Sequence, residues 1–176
     1  GHRAVGAALG NDLHRDQGTW LDAVESHLVD DGYIERDSIA DQDGVVLRLS
    51  SEEFLLTAAE PCLKYFRDLA TSLGVDRSVV TDISADFGIL ALQGPLSRRI
   101  LTYLTGAAEG LRYFGATRCS IAGHEVTLSR TGYTGDLGYE LWIPRSGALE
   151  VLDALLNAGR DDNLTLMGTT ALKMAR

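Results

Sequence analysis

A strand hairpin followed by a helix occurs twice along this chain, and that repeat constrains the fold more than any other feature. In the first copy, "VVLRL" (45–49) is β-rich, "SSEE" reads as a turn, and "FLLTA" (54–58) reads as the partner strand. Pro61 suits the first turn of a helix, where its missing N–H does no harm. Leu63, Phe66, Leu69 and Leu73 then recur at helical spacing, and Gly74 reads as the stop. In the second copy, 116–122 and 125–131 read as strands around a Gly123-His124 turn, with "YELWIP" (139–144) as a third strand. Ser146 is the expected cap of a helix to about Asn157, with Leu149, Leu152 and Leu156 on one face and Gly159 beyond it.

Between the copies, 78–84 and 87–93 read as strands. Pro95 opens a helix with Leu96, Ile100, Leu101 and Leu104 on one face, ending at Gly106. A short strand at 163–166 and a helix from Thr169 are expected last, and the first 40 residues give no clear periodicity. The expected class is α+β: antiparallel sheets with helices on one face, in two α/β-plait-like halves rather than a doubly wound parallel sheet. Residues 1–85 and 86–176 are the expected domains. The helical pattern at Arg176 runs on without a cap, so the chain is expected to be a piece of a longer protein.

The formal charge is −9, from 25 acidic and 16 basic residues, with no Lys/Arg cluster to neutralise phosphates. Nucleic acid is therefore not an expected partner. No apolar run reaches the roughly 20 residues that span a bilayer, and no secretory leader is expected. Cys62 and Cys119 form no CxxC pair and read as free thiols. The four histidines are scattered, with His124 expected in an exposed turn, and no metal is expected. Asp41-Gln42-Asp43-Gly44 resembles part of a calcium loop, but Ile39 and Ser50 stand where its anchoring ligands belong.

"SRTGYTGDLGYELWIP" (129–144) holds Gly132, Gly135 and Gly138 at even spacing. G-x-x-G-x-x-G followed by a strand is not a dinucleotide fingerprint, and neither a P-loop nor a G-x-S-x-G elbow occurs. Tyr133 and Glu140 flank the glycine-rich connection, which can bring both to one pocket or be a plain surface hairpin. Asp43 precedes an apolar strand, a place for a catalytic carboxylate or for a turn residue.

The whole 129–144 stretch resembles the signature of the aminomethyltransferase (glycine cleavage T-protein) family, S/A-R-T-G-Y-T-G-E-x-G-x-E, with Asp136 in place of its first acid. "DGVVLRLSSEEFLLTAAEP", "LALQGPLSRRIL", "FGATRCSIAGHEVTLSRTGYTG" and "GTTALKMAR" resemble four further family motifs in the same order, over about residues 41 to 176. The resemblance implies a T-protein-type folate-binding fold. Residues 1–85 would be the later part of its first domain (ferredoxin-like elements), 86–176 the second domain, and the C-terminal β-barrel would lie outside the chain.

It implies transfer of a methyl or aminomethyl group from a small amine, methoxy or methylthio donor to tetrahydrofolate, in the cytoplasm, without nucleic acid or membrane. A carrier protein would be a partner in glycine cleavage. The alternatives it implies are a non-catalytic folate-binding protein of iron–sulfur cluster assembly and a degenerate structural domain. Carried over by position, Asp43 would orient or deprotonate the folate nitrogen, Glu140 would hold the pteridine ring, and Tyr133 would lie along it. Arg176 matches an arginine entering the C-terminal part. Asp37 takes the place of Asp43 if the alignment is shifted, but only Asp43 puts Val46, Arg48 and Leu49 in register without a gap. Gln42, "SIADQ" and Thr170 depart from the family pattern.

Overall fold

The computed structural model describes residues 3–8, 44–51, 53–58, 63–132, 134–168 and 170–171. They divide into two compact units, Gly1–Ser84 and Ala85–Arg176.

The first unit contains β1 (Arg3–Ala8), β2 (Gly44–Arg48), β3 (Glu53–Ala58), α1 (Leu63–Ser72) and β4 (Val80–Asp82). All strand pairs are antiparallel, in the order β2-β3-β1-β4. β3 and β4 therefore run parallel on either side of β1 and are joined through α1, a split β-α-β arrangement. Leu63, Phe66 and Ala70 of α1 pack with Leu56, Val79 and Val80. The helix stops where expected. Gly74 adopts φ 74°, Val75 N–H donates to Ala70 O at 2.8 Å and Gly74 N–H to Thr71 O at 3.1 Å. This paired 6→1 and 5→2 pattern needs a left-handed residue, which glycine supplies without a Cβ penalty. Leu73, the last of the four residues at helical spacing, lies beyond the helix and is exposed. The strand expected over 78–84 is shorter, because the Asp76 carboxylate accepts Ser78 N–H at 2.8 Å and caps a 3-10 turn over Arg77–Val79.

The second unit contains β5 (Phe87–Gln93), α2 (Ser97–Thr102), β6 (Ala116–Ile121), β7 (His124–Ser129), β8 (Gly138–Pro144) and α3 (Ala148–Ala158). Its antiparallel order is β5-β8-β7-β6, a three-strand meander extended by β5. Strand alternation sorts the side chains. Leu90 and Leu92, Val126 and Leu128, and Tyr139, Leu141 and Ile143 join Ile100 and Leu101 of α2 and Val151 and Leu155 of α3 in one core. The other face of the sheet carries Gln93, Thr127, Ser129, Glu140 and Trp142. The α+β class with antiparallel sheets is thus the one observed.

Three local expectations are corrected. The β6–β7 turn is centred on Ala122 and Gly123, both left-handed (φ 51° and 82°), which matches the twist of a two-residue hairpin. His124 therefore begins β7, half-buried, with its ring where a Cβ on Gly147 would stand. α3 is entered through a 3-10 turn over Arg145–Gly147, with Gly147 and not Ser146 at the cap. Its inner face is Ala148, Val151, Ala154, Leu155 and Ala158, whereas Leu149 is 73% exposed. Finally, 163–166 is not a strand: Asn163 is left-handed (φ 56°) and Leu164 N–H turns back to Gly159 O at 2.9 Å.

Candidate functional site

The three evenly spaced glycines have two distinct reasons. Gly135 lies at φ 73°, a conformation that L side chains rarely adopt. Gly132 and Gly138 have no such φ, but a Cβ on either would overlap the side-chain amide of Gln93. Gln93 ends β5 opposite Gly138, which begins β8. Its Nε2 donates to Tyr139 O at 3.3 Å, and its Oε1 accepts the Thr134 hydroxyl at 3.1 Å. The next residue, Gly94, donates its N–H to Leu137 O at 2.7 Å. The described residues of this connection are thus tied to one glutamine, and Gly132 and Gly138 are the positions where backbone and amide meet.

Glu140 follows on β8, half-buried, between Ala91 of β5 and Ser129 of β7. The buried Thr131 hydroxyl donates to its Oε2. Ser129 Oγ lies 2.7 Å from Thr131 Oγ1. Because the single Thr131 proton goes to an acceptor-only carboxylate, Ser129 is the donor to Thr131. The two hydroxyls form a short chain that orients Glu140, and Oε1 receives no hydrogen bond from a described residue. Such a carboxylate suits a ligand edge presenting N–H donors, since charge-assisted bonds of this kind are the stronger ones.

Alternation sends Arg130 away from this face. It donates through Nη1 to Leu111 O at 3.1 Å, and its backbone pairs with Phe114 and Gly115. Arg130 therefore ties down the 111–115 loop, where Phe114 is held at φ 59°. On the helix side, the buried Tyr139 accepts through its hydroxyl from Arg98 Nε at 2.9 Å.

Of the residues expected to carry function, Glu140 is described and sits as above. Asp43, immediately before β2, lies outside the described residues, as do Asp37, Tyr133 and Arg176. Gln93, Ser129 and Thr131 were not singled out from the sequence. Their signal was membership of the "LALQGP" and "SRTGYTG" stretches, which named the region without a role for each residue. Cys119 is a free thiol whose burial pushes its pKa up, partly opposed by the Thr105 hydroxyl; Cys62 lies outside the described residues. Among the described residues no group of His, Cys, Asp and Glu could hold a metal ion, and no helix is long and apolar enough to cross a membrane.

Residues 32–176 match the GCVT N-terminal domain family. An aminomethyltransferase of Halothermothrix orenii is 42% identical over 96 residues, 54% of this chain and 27% of that protein. One from Saccharopolyspora erythraea is 34% identical over 128 residues, 72% of this chain and 35% of that protein. One from Listeria monocytogenes serotype 4a is 36% identical over 120 residues, covering 66% and 33%. The matches span 27% to 35% of the length of these three relatives. Among solved structures, a chain of the heterotetrameric sarcosine oxidase from Corynebacterium sp. U-96, in complex with pyrrole 2-carboxylate, is similar with a TM-score of 0.64. It covers 95% of this chain and 84% of that one at 20% identity, a likeness of fold.

Proposed function

This chain belongs to the GCVT N-terminal domain family, and from that premise we propose that it forms part of a tetrahydrofolate-dependent one-carbon transferase. The group moved is an aminomethyl or methyl unit, taken from a small amine, methoxy or methylthio donor. The naming of its relatives as aminomethyltransferases supports this reading. Residues 1–85 act as the later part of a first folate-binding domain and 86–176 as a second. A cytoplasmic location goes with that reading, as does a carrier protein where the donor is the glycine cleavage intermediate.

The observation that carries the proposal is the setting of Glu140, half-buried on a strand with one oxygen held by Thr131. A carboxylate offers about four lone-pair sites, so Thr131 leaves room for two N–H donors of an aminopyrimidine edge. Because the hydroxyl pair orients the acid beforehand, less ordering cost falls on binding. Tyr133 borders the same ligand, and Arg176, carried over by position from an arginine entering the C-terminal part, is a further candidate contact. Tetrahydrofolate, when bound, supplies the nucleophilic nitrogen. Asp43, ahead of β2, orients that nitrogen or accepts its proton, a contribution on the order of 10²–10⁴ in rate.

The test is calorimetric titration of the full-length protein with tetrahydrofolate. Glu140→Gln is expected to weaken binding by roughly 10- to 100-fold, the worth of a hydrogen bond to a charged group. Asp43→Asn is expected to keep binding and lose turnover. Absence of binding by the wild type at millimolar ligand overturns the folate assignment, and unchanged affinity in Glu140→Gln removes Glu140 from it.

A further inference from the structure

We propose that Gln93 is a positioning residue, a bracket whose amide sets the 131–139 segment and thereby the groups that meet the ligand; the ligand half of this inference rests on the folate reading above. The amide is used at both ends. Nε2 donates to Tyr139 O at 3.3 Å, one residue before Glu140, and Oε1 accepts from Thr134 at 3.1 Å, one residue after Tyr133. One side chain therefore meets the carbonyl of the residue before Glu140 and the hydroxyl of the residue after Tyr133, the two residues carried over as ligand contacts.

The glycines show how closely the fit is built. The three atoms nearest to a Cβ on Gly132 all belong to the Gln93 amide, and the same is true at Gly138. Neither glycine has a left-handed φ, so its backbone would accept alanine. What excludes a side chain there is Gln93 itself. Because an amide at the end of a flexible side chain can swing aside, alanine at Gly138 would displace it and cost both of its hydrogen bonds. Replacing the glycine and removing the glutamine amide are thus two routes to one lesion, and their effects must not add.

The experiment uses the full-length protein with Gln93→Ala, Gly138→Ala and the double variant, plus Gln93→Glu. Two readouts are taken: amide hydrogen exchange of 131–139 without ligand, and the tetrahydrofolate dissociation constant. Each single alanine variant is expected to speed exchange in 131–139 by on the order of tenfold and to leave β6–β7 amides unchanged. The dissociation constant should rise on the order of tenfold or more, as displacement of a positioned group does. The double variant should match the singles.

Gln93→Glu keeps the acceptor for Thr134 but sets an acceptor-only carboxylate oxygen against Tyr139 O, so it should speed exchange at least as much as Gln93→Ala. It also carries the test if Gln93→Ala fails to fold. Additive effects in the double variant, or wild-type exchange in either Gln93 variant, overturn the bracket. Faster exchange with undiminished affinity overturns its role toward the ligand. If the wild type binds no tetrahydrofolate, the folate reading fails, while the exchange pattern still decides the bracket.

Discussion

At the scale of single residues, the acid expected to meet the ligand does not stand alone. Thr131 and Ser129 hold Glu140 through hydroxyls that local sequence could not assign, because the same residues suit a solvated turn. Thr131→Val keeps the volume and removes the donor. It is expected to lower stability by about 0.5–1.5 kcal/mol in urea unfolding, since it removes the donor to the half-buried Glu140 carboxylate and leaves Ser129 only the longer contact to Glu140 O at 3.5 Å. A loss much below that range means the hydroxyl chain is not formed. The thiol of Cys119 has its pKa raised by burial, so less of it is thiolate at any given pH. In a Cys62→Ser background it should alkylate more slowly at pH 8 than an exposed thiol, with the rate climbing only at higher pH. Labelling by iodoacetamide followed by mass spectrometry checks both points.

At the scale of elements, periodicity found the strands and helices, and glycine found the end of α1. The inner face of α3 is not the face that Leu149, Leu152 and Leu156 share, for a definite reason. Its leucines surround the helix, so hydrophobic spacing alone does not choose a side. The side is chosen by small residues that permit close approach: a Cβ on Gly88 of β5 would meet the Ala148 Cβ at 3.3 Å. Ala148→Leu should therefore overpack the helix–sheet contact and cost about 1–3 kcal/mol. Leu149→Ala, one residue on and exposed, should stay within about 0.5 kcal/mol. Thermal unfolding of the pair separates the two faces, and equal losses would contradict the assignment. β1 escaped notice because "RAVGAA" has one β-branched residue, and alanine and glycine are poor strand formers.

At the scale of the whole molecule, each sheet closes its ladder within its own unit. β1 is the inner strand that joins β3 to β4, pairing Gly6 with both Leu55 and Thr81. Gly6→Pro removes a ladder donor there, a change tolerated only at sheet edges. Hydrogen exchange should show protection lost across β1–β4 and kept across β5–β8; loss in both sheets would mean that the second depends on the first. The sequence by itself determined the α+β class, most element positions, the helix stop at Gly74 and the family resemblance, because periodicity and turn chemistry act over a few residues. Only the tertiary structure decided the place of β1, the inner face of α3 and the partners of Gln93. Thr134 and Gln93 are 41 residues apart. Groups so far apart in sequence meet only after both sheet edges are in register, and no local pattern records which of them will.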